Sequence, residues 1–408
     1  MNKTKIYFYL FVCALLFFLV LALVGASSSV EYLGGGVTAE MPKVVHLSTP
    51  EPLKGVYMTA CVAGMFSLRD KVVALIEATE LNAVVVDIKD STGTVSFLGE
   101  GPSADGGCKV TDMKDFIGAL HDKQIYVIGR IAVFQDPLYT KLHPELAVKK
   151  KSDGAVWQDR KGLSFIDVGA KEYWNYIVEI SKKAEKLGFD EINFDYIRYP
   201  SDGNMNDITF PHTGLPPARA GGAQAGTTTK KEMLRQFFEY LDSSLKDIPL
   251  KTSADLFGMV TTNIDDMGIG QTLENALPYF DYISPMVYPS HYPPAFNGWS
   301  DPNKVPYEIV KYAMDGAVKR TEELASTTRQ NFTTQNLSGQ AQNQKINKNQ
   351  LRPWLQDNDY PVHYTAAMVR SQIQATYDAG LTSWMLWDPN NTYTREALLI
   401  TPPSPLLH

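Results

Sequence analysis

The stretch Gly188-Phe189-Asp190-Glu191-Ile192-Asn193-Phe194-Asp195-Tyr196-Ile197-Arg198-Tyr199-Pro200 decides how the rest of the chain is read. Phe189, Ile192, Phe194, Tyr196 and Ile197 give it the aromatic and β-branched content of a buried strand, and Pro200 forbids further ladder pairing. Asp195 and Arg198 fall where such a strand leaves the core, the place where α/β enzymes hold their reacting groups. An internal Asp195–Arg198 ion pair that only fixes a loop is the alternative.

On the upstream side, Tyr173, Trp174, Ile177, Val178, Ile180 and Ala184 make one apolar face of a helix from Ala170 to Leu187, which Gly188 ends. Further back lie three strands, Lys54–Ala60, Asn82–Asp90 and Gln124–Phe134. Helices separate them, the first capped by Ser67 and the second opened by Thr111. Ala83 to Ile88 is almost wholly apolar, as parallel strands covered on both faces must be. Downstream, a helix over Lys230–Lys246 leads to a fifth strand, Leu250–Phe257, and a short helix near Thr272–Leu277 to a sixth, Tyr282–Pro289. A helix from Pro306 to about Ala325, a polar connection over Ser326–Asn349, a weak strand Leu351–Asp357, a helix capped by Thr365 and an eighth strand Leu381–Trp387 complete the pattern. Eight strand-then-helix units in roughly 350 residues fit a single (β/α)8 TIM barrel. Long loops follow strands 3, 4 and 6. The Gly/Pro/Ala/Thr-rich segment Ser201–Thr229 reads as a mobile insertion and a candidate lid. A doubly wound sheet is the alternative, but no Gly-x-Gly-x-x-Gly or Walker sequence follows any strand.

The chain has 408 residues, is 44% hydrophobic and carries a formal charge of −7, which supplies a large core and argues against a nucleic-acid surface. Lys3 and Lys5 precede an uncharged apolar run from Ile6 to Val24, about 28 Å long as a helix and close to the hydrocarbon thickness of a bilayer. Residues 1–26 therefore read as a signal peptide or a transmembrane anchor, residues 27–52 as a flexible tether, 53–400 as the barrel and 401–408 as a frayed tail. The barrel is placed outside the cytoplasmic membrane, secreted or anchored. Such a compartment permits a disulfide between Cys61 and Cys108; two unpaired buried thiols are the alternative.

A barrel brings its strand ends to one face, and here those ends carry Asp87, Lys89, Asp90, Arg130, Asp195, Arg198, Asp255, Tyr288, His291, Asp357, Trp387 and Asp388. Two carboxyls flanking a sugar supply the acid and the nucleophile or base that cleave a glycosidic bond. Their separation, about 5 Å for retention and about 6.5 to 9.5 Å for inversion, sets the stereochemistry. Mutual repulsion raises one of the two pKa values, as an acid catalyst requires. Each residue also has a plainer reading. Asp87, Lys89 and Asp90 read as a strand-end ion cluster, Arg130 as a buried carboxylate partner, Asp255 as a turn cap, Asp357 as a solvated loop residue, Asp388 as a turn starter and Trp387 as core. No His-Glu-x-x-His, His-x-x-x-His or Gly-x-Ser-x-Gly pattern occurs, so no metal, cofactor or serine nucleophile is expected.

Phe194-Asp195-Tyr196-Ile197-Arg198-Tyr199-Pro200, together with Lys54-Gly55-Val56-Tyr57, His143-Pro144-Glu145-Leu146, Ile283-Ser284-Pro285-Met286-Val287-Tyr288 and Trp384 to Asp388, resembles a largely uncharacterised family of bacterial glycosyl hydrolase domains. That family is expected to consist of TIM barrels distantly similar to the α-amylase clan. The resemblance spans about Leu53 to Ile400. It implies that Asp195, on the fourth strand, holds the position of the amylase-type nucleophile, and that Asp357 matches the clan's third carboxylate. The clan's acid is a Glu after strand five, where this chain offers Asp255. The expectation is a polysaccharide hydrolase with Asp195 as nucleophile or its stabiliser and Asp255 as proton donor. Arg198 and Tyr288 would orient Asp195, while Asp87, Arg130, Asp357, Trp387 and Asp388 support it. The Asp-for-Glu departure leaves a non-catalytic carbohydrate-binding or envelope-scaffold barrel as the alternative.

Overall fold

In the computed structural model, eight parallel strands pair in sequence order and close on themselves: β1 (Lys54–Met58), β2 (Ala83–Lys89), β3 (Tyr126–Ala132), β4 (Glu191–Asp195), β5 (Lys251–Phe257), β6 (Tyr282–Met286), β7 (Trp354–Gln356) and β8 (Trp384–Trp387). The structure describes residues 44–97, 107–214, 228–334 and 346–400. The apolar run Ile6–Val24, most of the tether and the 401–408 tail lie outside them. Among the described residues no helix is long and apolar enough to cross a membrane.

The period-two alternation of a strand divides each β-segment between two apolar surroundings. Val84, Val86, Val127, Ile131, Ile192 and Phe194 face outward and pack against the helical ring. Tyr57, Val85, Tyr126, Ile128, Trp354 and Met385 face inward and fill the barrel with side chains. Inward positions also carry charge. Near the N-terminal mouth the fully buried Arg352 donates from Nη2 to Glu191 Oε1 at 2.6 Å and lies over the Tyr282 ring at 3.5 Å.

Several local expectations are corrected. Strand β4 stops at Asp195 because Tyr196 takes a left-handed backbone, φ 51°, that cannot continue a ladder. Ser67 lies inside the helix Phe66–Glu77, whose N-cap, Met65, makes no side-chain capping bond. The helix beginning at Pro306 runs to Thr334, through the first part of the segment read as a polar connection. Ser326 and Thr327 turn their hydroxyls back onto the carbonyls of Glu322 and Glu323, so polarity there does not interrupt the helix. The first part of the expected mobile insertion is tied down. Ile208 and Phe210 are buried, and the Thr213 hydroxyl donates to Asp167. Residues 215–227 of the same segment fall outside the described ones.

Cys61, in the turn of helix Ala60–Ala63 after β1, is joined by a disulfide to Cys108 in the loop after β2. At the opposite end, residues 44–52, read as the end of the tether, lie against the barrel. Leu47 N–H donates to Asp190 Oδ1 at 2.7 Å, and the Thr49 and Tyr126 hydroxyls meet at 3.0 Å.

Candidate active site

Three adjacent strands build the floor of the site. Asp87 on β2 stands in register with Arg130 on β3, and Arg130 in turn lies beside Asn193 on β4, two residues before Asp195 on the same face. The Arg130 guanidinium fills the gap between two carboxylates. Its Nε and Nη2 donate to Asp195 Oδ2 at 3.1 and 2.5 Å, and its Nη1 donates to Asp87 Oδ1 at 2.7 Å. The Tyr57 hydroxyl donates to the other oxygen of Asp87 at 2.5 Å. The second oxygen of Asp195 accepts the N–H of Tyr196 at 2.6 Å, a bond that the left-handed turn at Tyr196 makes available. Each nitrogen of Arg130 and each of the two carboxylates is thereby bonded at a depth where an unpaired charge would be costly. Burial pushes the Asp87 carboxyl upward although Arg130 and Tyr57 pull it down, while Asp195 and Asp87 outweigh burial and hold the Arg130 guanidinium well above its ordinary value.

Asp255, on β5, is in a different condition. It is 2% exposed and no cation bonds it. Asn193 Nδ2 at 2.8 Å and the Trp354 indole N–H at 2.9 Å both donate to the same oxygen, Oδ1. Among the described residues nothing bonds Oδ2, and the residue lines an open cavity. Burial first, and then the nearby Asp195 charge, drive the Asp255 pKa well above the ordinary carboxylate range. That rise favours the protonated form of Asp255, with Oδ1 accepting from Asn193 and Trp354 and Oδ2 facing the cavity. The Tyr288 hydroxyl is likewise pushed well up, by burial, then Asp255, then Asp195, though among the described residues it makes no hydrogen bond to Asp195.

The cavity, about 370 Å³, is walled by Arg130, Asp195, Tyr196, Arg198, Asp255, Phe257, Tyr288, His291, Tyr292 and Trp387, with Lys161 and Asp202 at its rim. Trp387 stacks on Tyr57 with ring centroids 4.3 Å apart. Of the residues named from sequence, Asp195, Asp255, Arg130, Arg198, Tyr288 and Trp387 meet at this cavity, and Asp87 stands behind Arg130.

Two expectations about roles are corrected. Arg198 makes no hydrogen bond to Asp195; its Nη1 donates to the Tyr199 carbonyl and the Ser201 hydroxyl, and Arg130 takes the role assigned to it. Asp357 and Asp388 are not among the lining residues. Asp357 accepts Thr394 N–H at 3.0 Å and its hydroxyl at 2.6 Å, and Asp388 accepts Asn390 N–H at 2.7 Å, so both shape the loop after β8. Lys89 points the other way and pairs with Asp136 at 2.9 Å, and Asp90 caps its own turn through Thr92 and Thr94. Sequence reasoning gave no role to Tyr57, Asn193 or Trp354. Asn193 was legible, since it sits two residues before Asp195 on one strand; Trp354 depends on β7 standing two strands from β5 in the closed barrel. Among the described residues no group of three His, Cys, Asp or Glu side chains is placed to hold a metal ion.

The model of a family described as "Putative glycosyl hydrolase domain" matches residues 55–393. Among solved structures, the PgaB (BpsB) glycoside hydrolase domain from Bordetella bronchiseptica covers 86% of this chain and 100% of its own, at 13% identity and TM-score 0.58, a likeness of fold. A hypothetical protein from Ruminiclostridium thermocellum ATCC 27405 is 33% identical over 49% of this chain and 96% of its own, with TM-score 0.40. A chitinase from Chromobacterium violaceum ATCC 12472 is 12% identical over 85% of this chain and 96% of its own, with TM-score 0.45. No curated protein matches.

Proposed function

The chain belongs to the family of putative glycosyl hydrolase domains, and from that premise we propose that it hydrolyses glycosidic bonds of an extracellular or cell-envelope polysaccharide at the Asp195–Asp255 cavity. The observation that carries this reading is the contrast between two neighbouring carboxyls: one ion-paired with Arg130, the other bonded by no cation and pushed by burial toward its protonated form. Glycoside hydrolysis requires that division. Asp255 donates the Oδ2 proton to the leaving oxygen, and Asn193 and Trp354 hold its other oxygen so that the proton keeps its direction. Asp195 presents its carboxylate to the anomeric carbon as nucleophile or as stabiliser of the developing cation. Arg130 and the Tyr196 N–H fix its orientation throughout. The Trp387 and Tyr288 rings offer flat apolar faces on which a sugar ring can stack.

Wild-type protein should release reducing ends from an envelope polysaccharide. Asp195→Asn and Asp255→Asn should each lower that rate by about 10²- to 10⁴-fold, the range for removing an acid–base group. Full activity of Asp195→Asn would overturn the assignment. Binding of glycans with no release by the wild type would instead select the carbohydrate-binding barrel.

The location is part of the same reading. The apolar run Ile6–Val24 behind Lys3 and Lys5 supports an exported barrel held at the membrane by one N-terminal segment, and the Cys61–Cys108 disulfide suits an oxidising compartment. Fractionation of cells expressing the full chain should place it in the membrane fraction, accessible to externally added protease.

A further inference from the structure

Resting on the hydrolase reading, we infer that the sugar bound beside the scissile bond carries a carboxylate, and that Arg198 is the residue that receives it. Arg198 follows Asp195 by three residues, is half-buried, and lines the same cavity. The Arg130 guanidinium is consumed by Asp195 and Asp87, but Arg198 has no carboxylate partner among the described residues. Its bonds to the Tyr199 carbonyl and the Ser201 hydroxyl both use Nη1, at 3.1 and 3.2 Å, which leaves Nε and Nη2 without a partner. Neither nitrogen is sealed from solvent.

The side chain is also held in place. Its guanidinium carbon lies 4.6 Å from the Phe257 ring centroid and 5.2 Å from that of Tyr196, so two aromatic faces fix the plane of the fork. Burial lowers the Arg198 pKa and nearby acids do not make up the loss, as expected for a cation placed before its counter-charge arrives. At the rim, Lys161 and Arg198 line the wall with Asp202, and Asp159 lies near enough to act on Arg198 without bonding it. A planar, pre-oriented fork with two open N–H groups matches a carboxylate bidentately, whereas a neutral hydroxymethyl group offers one uncharged oxygen in place of two charged ones.

The test compares matched acidic and neutral sugars by calorimetric titration of the full chain: glucuronate against glucose, galacturonate against galactose, and N-acetylmuramate against N-acetylglucosamine, with glucose 6-sulfate as a further anion. At least one acidic sugar should bind about 10- to 100-fold more tightly than its neutral partner, as for a hydrogen bond to a charged group. That preference should vanish in Arg198→Met and be only partly kept in Arg198→Lys, which retains the charge without the fork. Equal binding within all pairs, an acid preference that survives Arg198→Met in protein of unchanged melting temperature, or tighter binding of the sulfate than of any carboxylate would overturn the inference. Selective acid binding by a protein that cleaves no glycan would remove the hydrolase reading and leave the anion site standing. Cleavage of acidic glycans and their carboxyl-reduced forms at equal kcat/KM would do the reverse.

Discussion

Two arginine–carboxylate pairs lie inside the same barrel, one at each mouth, and they differ in where their unfilled bonding capacity points. At the N-terminal end Arg352 meets Glu191 across the interior, and Tyr126 donates to the second Glu191 oxygen at 3.3 Å. There the Nε and Nη1 donors of Arg352 are unpartnered and shut in. At the C-terminal end Arg130 is bonded through every nitrogen, and among the described residues the unfilled positions include Asp255 Oδ2, the Tyr288 hydroxyl and Arg198 Nε and Nη2, on residues that line open space. A buried ion pair does not by itself mark a site, because both mouths have one. The mark is an acid left without a counter-ion where a ligand can reach it.

The largest effects should come from taking the cation out of each pair. Arg130→Met leaves Asp195 and Asp87 uncompensated, and Arg352→Met leaves Glu191 so; each should cost about 3 to 5 kcal/mol of stability in denaturant titration. The pairs part company in activity. Per folded molecule, Arg130→Met should lose hydrolysis as fully as Asp195→Asn, whereas Arg352→Met should keep it. The double change Arg352→Met with Glu191→Leu should recover most of the stability, since a packed apolar replacement of a buried pair is often neutral or better. Loss of activity in Arg352→Met at temperatures where it stays folded would erase the distinction drawn between the two mouths.

Next in size is the neutral acid. An Asp in the unfolded chain titrates near 4, and Asp255 in the folded protein titrates well above that. Between those values the folded state holds a proton that the unfolded state has released, so stability falls as pH rises from about 4 up to the raised folded value. Asn is the uncharged isostere, and its oxygen can accept the same bonds from Asn193 and Trp354. Asp255→Asn should therefore melt higher than wild type at pH 7, match it below about pH 4, and be inactive at both. The wild-type rate should fall on the alkaline side as Asp255 ionises. A variant no more stable at pH 7 would mean that Asp255 is charged in the folded protein.

The barrel was legible because it rests on local signals that add up. Most strands carried either a near-continuous apolar run or the aromatic and β-branched content of one, and the longer helices a 3.6-residue stripe, with Gly188 at φ 108° closing the long helix before β4. The acidic tips were legible as a set because topology gathers strand ends. What did not show was which tip meets which. Arg198 is three residues from Asp195 in sequence, yet the left-handed turn at Tyr196 swings the chain away, and the bonded cation comes from the neighbouring strand. Asp357 and Asp388 sit at strand ends as expected, but the loop after β8 returns to take their oxygens through Thr394 and Asn390. Those contacts depend on loop paths for which period-two and period-3.6 patterns carry no information.

The smallest effect tests the border of the site. Asp357 has a pKa raised to about 6, by burial against the lowering bonds from Thr394 and with the Asp388 charge adding to the rise. The sign is that of Asp255: its contribution favours folding below about pH 4 and is lost as pH climbs through 6, about 3 kcal/mol over the interval as an order of magnitude. The two carboxyls differ in what they touch. Asp255 opens onto the cavity, while both oxygens of Asp357 are taken up by one residue of the β8 loop. Asn at 357 can accept the Thr394 N–H and meet its hydroxyl as a donor. Asp357→Asn should thus flatten the stability profile between pH 4 and 6 and leave the pH dependence of hydrolysis where Asp255 sets it. A shift in the pH–rate profile instead of the stability profile would move Asp357 into the catalytic group and extend the site from β5 across to the loop after β8.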